Sequence, residues 1–153
     1  MKAYLGLGSN MGDREQYMCT AVELLSSHKD MRLIRQSKVL ETAAYGLTDQ
    51  ADFLNQVVII ETELPAEQLL KECNRIEELL GRVRTVKWGE RTMDIDILFY
   101  EDIVLQTAEL QIPHADLHKR EFILQSMLEL EPEMVHPVLG LSMQEIYNNL
   151  EER

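Results

Sequence analysis

Asp94 and Asp96 stand one residue apart in Arg91-Thr92-Met93-Asp94-Ile95-Asp96-Ile97-Leu98, a run otherwise rich in strand-forming apolar residues. Side chains of a strand alternate between its faces. The two carboxylates therefore share one face, while Met93, Ile95, Ile97 and Phe99 are expected on the other. Like charges held side by side repel unless a cation lies between them. A hard divalent ion with oxygen ligands meets that need, and Mg²⁺ carrying a phosphate substrate is the economical choice. The plainer alternative is a solvent-facing edge strand with hydrated carboxylates. Asp is depleted in strands, however, and the apolar flanks imply a central strand rather than an edge.

Just upstream, Arg82, Arg84, Lys87 and Arg91 cluster against a single acid, Glu90. Arginine's planar fork of donors matches phosphate oxygens. An ordinary solvated loop would explain the charges but not Trp88, the chain's single tryptophan, beside Gly89. A loop carrying Arg and Trp can close over a nucleotide and exclude water.

Phe53 and Asn55 share a strand face by the same alternation. An aromatic plate beside a carboxamide suits a flat heterocycle, one group stacking and the other reading its edge. The spacing alone favours the blander reading, in which Phe53 is core and Asn55 marks a strand end. Phe122, at a helix start, reads first as packing. His114, after Pro113 and before Lys119-Arg120, lies where a phosphate or nucleotide sugar is within reach; a surface histidine fits equally well. His28, His118 and His136 show no metal-ligand spacing with the cysteines. Gly6-Leu7-Gly8-Ser9-Asn10-Met11-Gly12 lacks the Lys-Ser/Thr of a phosphate-cradling loop, and Asp13 would repel phosphate. It reads as a tight strand-to-helix turn.

The elements that must position these residues follow from periodicity. Residues 2–8 form a short buried strand. Met18, Ala21, Val22 and Leu25 mark a helix. Residues 31–41 are extended and broken by a turn. Phe53–Thr62 is a strand apolar on both faces through Val57, Val58, Ile59 and Ile60. Pro65 opens a helix striped by Leu69, Cys73, Ile76 and Leu80 and closed by Gly81. After the aspartate strand come extended pieces at 103–105 and 110–112 and a helix over 119–131. A last helix starts at Ser142, three residues before Glu145 in capping-box spacing. This order predicts an α+β domain with a mostly antiparallel sheet and helices packed on it.

At 153 residues, one domain over 1–153 is expected. A net charge of −12 argues against a nucleic-acid-binding surface, and one local basic cluster points to a small polyanion. No apolar run approaches a membrane span, no leader is expected, and two cysteines read as free thiols of a cytoplasmic protein.

Taken together, three blocks resemble the 6-hydroxymethyl-7,8-dihydropterin pyrophosphokinases of folate biosynthesis. They are the segment Tyr4 through Arg14, Asp52-Phe53-Leu54-Asn55, and Gly81 through Ile97 with its Arg-x-x-Asp-x-Asp signature. Pro113-His114 with Arg120-Glu121-Phe122 is a fourth, weaker match. The resemblance implies a ferredoxin-like fold, usually monomeric, that transfers pyrophosphate from ATP to the pterin's hydroxymethyl oxygen and releases AMP. By position it implies that Asp94 and Asp96 hold two Mg²⁺ ions. Arg82 and Arg91 would clamp phosphates, with Arg84 and Trp88 on the closing loop and His114 and Arg120 facing ATP. The pterin would lie between Phe53 and Phe122, read by Asn55 and the backbone near Thr42, with Trp88 also against it. Glu77 matches a family position near the site without a defined role. After Thr42 the family commonly has a proline two residues on and a glycine four on; here the residues are Ala44 and Gly46, and the alanine in place of proline implies a more flexible pterin loop. The alternatives from other classes are a non-catalytic nucleotide- or pterin-binding module and a metal-dependent nuclease, the second disfavoured by the acidic surface.

Overall fold

The computed structural model describes residues 1–10, 12–42, 52–81 and 93–151. Its elements are β1 (Lys2–Ser9), α1 (Arg14–Ser27), β2 (Met31–Gln36), β3 (Leu40–Thr42), β4 (Phe53–Thr62), α2 (Ala66–Leu79), β5 (Asp94–Tyr100), β6 (Leu105–Gln106), β7 (Gln111–Ile112), α3 (Glu121–Leu130) and α4 (Met143–Glu151). The main sheet has the order β2-β4-β1-β5, with β3 also pairing with β4, and every pairing in it is antiparallel. β6 and β7 form a separate small ribbon.

The double-sided apolar run of β4 decides the layering. Val58 and Ile60 join Leu5 and Leu7 of β1 in a cluster with Met18, Ala21 and Leu25 of α1 and Leu69, Cys73 and Ile76 of α2. Val57 and Ile59 face the other way, toward Leu124, Met127 and Leu130 of α3 and Met143 and Ile146 of α4. Burial of each such side chain contributes roughly 1.5–3 kcal/mol.

Local signals set the helix ends. Asp13 Oδ1 accepts the Gln16 N–H at 3.1 Å to open α1. Pro65 precedes α2, and Gly81, at φ 85°, follows it in the left-handed region that favours glycine. At α4 the expected capping box is present in both directions: Ser142 Oγ accepts the Glu145 N–H at 3.1 Å, and Glu145 Oε1 accepts the Ser142 N–H at 3.0 Å. The helix expected over about 119–131 is α3, Glu121–Leu130, and a short turn precedes it. A 3₁₀ turn, Leu117–Lys119, ends at Arg120, whose extended backbone separates it from α3.

Two expectations about the aspartate strand are corrected. Among the described residues β5 is the end strand of the sheet, not a central one. It reads as central because its outer edge is covered: Glu77 Oε2 on α2 accepts the Ile95 N–H at 2.7 Å, and the His114 N–H donates to the Leu98 carbonyl at 3.0 Å. Phe99 does not share a face with Met93, Ile95 and Ile97. The register against β1 slips between Tyr4–Phe99 and Leu5–Ile97, so Leu98 is an extra, bulged residue and Phe99 turns into the α3/α4 cluster.

Candidate active site

α3 and α4 cover only part of their face of the sheet. Beyond Tyr4, Val57 and Leu98, that face continues toward the last residues of β1 and the first residues of β4 and β5. There Gly8 lies between Asn55 on β4 and Asp94 on β5, and Gly6 lies between Val57 and Asp96. A strand interior normally disfavours glycine, and its presence marks a place where something approaches the backbone closely. The two glycines lie inside β1, within the strand expected over residues 2–8, and leave this end of the middle strand without side chains on this face. A floor is thereby cleared between an aromatic–amide pair and a carboxylate pair.

Asp94 and Asp96 are both partly buried on β5, on the face opposite Met93, Ile95 and Ile97. The Glu77 carboxylate approaches the same strand from α2 and is only 2% exposed. Burial pushes the nearby Cys73 thiol up from its ordinary value, and the charges of Glu77, Asp96 and Glu72 push it further. The negative potential of the site is thus felt inside the core beneath it. No group of three or more His, Cys, Asp or Glu side chains placed to hold a metal occurs among the described residues. The aspartate pair suits a hard cation such as Mg²⁺, which completes its shell with water and phosphate oxygens rather than with an all-protein cage.

On the other side of the glycines, Asn55 Nδ2 donates to Thr42 Oγ1 at 2.6 Å. That bond turns the carboxamide oxygen toward the floor, where Asn55 Oδ1 and Phe53 Cδ1 are both near the position a Gly8 Cβ would take. Phe53 and Asn55 are half-buried, so both side chains are partly open to a ligand. His114 is half-buried too. Its Nδ1 accepts the Asp116 N–H at 3.3 Å, which leaves Nε2 as the N–H of the neutral ring. Because the His114 backbone is bonded to Leu98, this ring stays beside β5. Arg120 sits at the break before α3, and Phe122 packs against the α3/α4 cluster in the first turn of that helix.

The structure therefore brings Asp94, Asp96, Phe53, Asn55 and Thr42 to one end of the sheet and anchors His114 at its edge. Arg82, Arg84, Trp88 and Arg91 lie outside the described residues, as does Ala44. Sequence reasoning missed Gly6 and Gly8 as a cleared floor and assigned no role to Glu77. A signal for the latter was present: Glu77 lies four residues after Cys73 and eight after Leu69, so a carboxylate interrupts the buried helical stripe.

The family model for 7,8-dihydro-6-hydroxymethylpterin-pyrophosphokinase matches residues 4–132. The chain belongs to that family. A 2-amino-4-hydroxy-6-hydroxymethyldihydropteridine pyrophosphokinase of Aquifex aeolicus is 43% identical over 135 residues, covering 88% of this chain and 83% of that protein. The folic acid synthesis protein fol1 of Schizosaccharomyces pombe is 40% identical over 148 residues, covering 97% of this chain but 20% of its own length. Among solved structures, Plasmodium falciparum HPPK-DHPS with pteroate superposes with a TM-score of 0.80 at 18% identity, over 99% of this chain and 42% of that one. That likeness establishes the ferredoxin-like pyrophosphokinase fold. As a pyrophosphokinase of this family, the chain transfers pyrophosphate from ATP to the hydroxymethyl group of the dihydropterin, a step of folate biosynthesis. No helix among the described residues is long and apolar enough to cross a membrane.

Proposed function

We propose that pyrophosphoryl transfer takes place on the glycine-cleared end of the sheet, with the pterin on the β4 side and the ATP phosphates on the β5 side. The observation that carries this reading is the row Asn55–Gly8–Asp94 across three adjacent strands. In it, Phe53 stacks on the pterin with Phe122 as the second plate and Trp88 closing against it. Asn55, held by Thr42, reads the ring's edge. Asp94 and Asp96 hold two Mg²⁺ ions, and the enzyme depends on ATP and Mg²⁺ together. When bound, Mg²⁺ neutralises phosphate charge and lowers the pKa of the attacking hydroxyl.

The chain's own groups do the positioning. Arg82 and Arg91 clamp phosphate oxygens, Arg84 reaches ATP from the closing loop, and His114 and Arg120 hold the nucleotide from the β5 side. The hydroxymethyl oxygen attacks the β-phosphorus in line, and the bond from that phosphorus to the oxygen bridging the α-phosphate breaks. AMP leaves, and the hydroxyl proton passes to solvent. Such a transfer needs alignment and charge neutralisation more than a strong base. The whole chain, 1–153, acts as one pterin pyrophosphokinase domain. It works as a cytoplasmic monomer on small molecules, without nucleic acid or membrane, a reading supported by two unpaired cysteines and the acidic balance.

Product analysis tests the reading. Wild-type protein given ATP, Mg²⁺ and 6-hydroxymethyl-7,8-dihydropterin should release AMP one-for-one with the pterin diphosphate. Asp96→Ala should lose turnover by about 10²–10³-fold, in the range of a lost electrostatic stabiliser, and still bind pterin. ADP as product would overturn the phosphate register. Full activity of Asp96→Ala would overturn the assignment of the metal site.

A further inference from the structure

The aspartates occupy the weakest kind of position in a sheet. Among the described residues β5 is paired on one side only, and Asp94 is its first residue. An end strand that opens this way frays unless its outer edge is tied. The tie here is specific. Of all β5 residues, Glu77 takes the N–H of Ile95, the residue between the two aspartates, at 2.7 Å. It does so from the far face of the sheet, where Cys73 and Ile76 of α2 belong to the same core cluster as Ile95.

A carboxylate at 2% exposure is a costly occupant of that place. A leucine or methionine there would simply complete the apolar stripe of α2. What the carboxylate adds is a charge-assisted acceptor, stronger and more directional than a neutral one. Its charge also reaches the Cys73 thiol together with that of Asp96, so the two carboxylates act on the same region of the core.

We propose that Glu77 is a positioning residue for the phosphate-transfer chemistry: by accepting the Ile95 N–H it fixes the start of β5, so that Asp94 and Asp96 present their oxygens together to the Mg²⁺ ions and the phosphates they carry. This rests on the assignment of the aspartates made above, and it gives α2 a part in the reaction without any contact to the reacting atoms. A helix on the opposite face of the sheet thereby governs the metal end of the site and leaves the pterin end alone.

The experiment compares Glu77→Met, which keeps the volume and removes the acceptor, with Glu77→Gln, which keeps an acceptor of the same reach. Glu77→Met is expected to raise the Mg²⁺ concentration for half-maximal activity about tenfold and to lower kcat by a similar factor, the scale of one lost hydrogen bond to a charged group. Mn²⁺ binding in the presence of α,β-methylene ATP, read by electron paramagnetic resonance, should weaken in parallel. Pterin Kd should stay within about twofold, and Glu77→Gln should recover most of the loss. An unchanged Mg²⁺ dependence in Glu77→Met overturns the proposal, as does a Glu77→Gln variant equally impaired, or pterin and metal binding weakening together. Should Glu77→Met fail to fold, hydrogen exchange in the wild-type protein decides: the Ile95 amide must be protected, and fast exchange there refutes the tie. Asp96→Ala in the same series separates the two levels. If it keeps its turnover, the reading of the site fails whatever Glu77 does; if it loses turnover while Glu77→Met behaves as wild type, the positioning role alone fails.

Discussion

Adding one methyl group to the cleared floor is a sharp test of how this site is built. A Cβ placed on Gly8 would lie 3.2 Å from Asn55 Oδ1, 3.7 Å from the Leu54 carbonyl oxygen and 3.8 Å from Phe53 Cδ1. Gly8 is an ordinary strand residue, so alanine brings no backbone strain and gains about 0.4–1 kcal/mol by restricting the unfolded chain. Against that gain, the Asn55 amide must shift by a few tenths of an ångström while its nitrogen is held on Thr42 Oγ1 at 2.6 Å. Loosening that bond costs about 0.5–1.5 kcal/mol. The two contributions nearly cancel, and Tm should move by no more than about 2–4 °C. Binding has no such offset. If Asn55 Oδ1 reads the pterin edge as proposed, displacing it removes about one hydrogen bond, or roughly tenfold in Kd. Gly8→Ala should therefore bind 6-hydroxymethyl-7,8-dihydropterin about tenfold more weakly, with α,β-methylene ATP affinity unchanged, when both are titrated calorimetrically. Gly6→Ala is the internal comparator. Its Cβ would meet Leu98 Cδ2 at 3.4 Å, a side-chain methyl that can yield, so the pterin should hardly notice. If Gly8→Ala binds pterin as wild type does, or loses both substrates equally, the floor has been misplaced.

Three further outcomes follow from features away from the site. His136 is buried, and its Nδ1 accepts the N–H groups of both Val138 and Leu139 at 3.1 Å, a role open only to the neutral ring. Burial, aided by His118, holds its pKa below the ordinary 6.5. The unfolded chain thus takes up a proton first as pH falls, so the stability His136 contributes is fully present above about 6.5 and is lost below it. Thermal melts from pH 7.5 to 5 should show that decline, and it should flatten in His136→Asn. Ser142→Ala removes half of the α4 capping box and should cost about 1 kcal/mol, or roughly 2–4 °C in Tm for a chain of this size. Iodoacetamide should modify exposed Cys19 readily and spare buried Cys73 until the protein unfolds, and mass spectrometry of the labelled chain reads this directly.

The sequence was most legible where a single periodic signal acted alone. β4 has the expected bounds because Val57, Val58, Ile59 and Ile60 leave no other way to bury both faces, and Ser142 with Glu145 specifies the start of α4 by chemistry local to four residues. Legibility failed where distant groups intervene. β5 has an interior strand's composition because Glu77 and His114 cover its edge, and neither lies in its own segment. Phe99 changes face because of one bulged residue, a register event that alternation cannot foresee. In the candidate site, the shared face of Asp94 and Asp96 was readable from spacing, whereas the setting of Phe53 and Asn55 beside Gly8 depends on the register of β4 against β1. A glycine signals nothing by itself; its worth here comes from its neighbours across the sheet.

The strand between the two halves of the site also has a metrical consequence. Neighbouring strands of a sheet are spaced about 4.7–4.9 Å apart, so the strand that carries Phe53 and Asn55 and the strand that carries Asp94 and Asp96 are roughly 10 Å apart. That span is maintained by the hydrogen bonds of β1 on both of its sides, and no loop movement can stretch it. On the proposed reading, the sheet acts as a fixed gauge between ring and phosphate. Substitutions on β4 should then retune which ring is accepted, and substitutions on β5 should retune the ion. A substrate whose reactive oxygen lay one bond farther from its ring would be out of register with the phosphorus, however well either end bound.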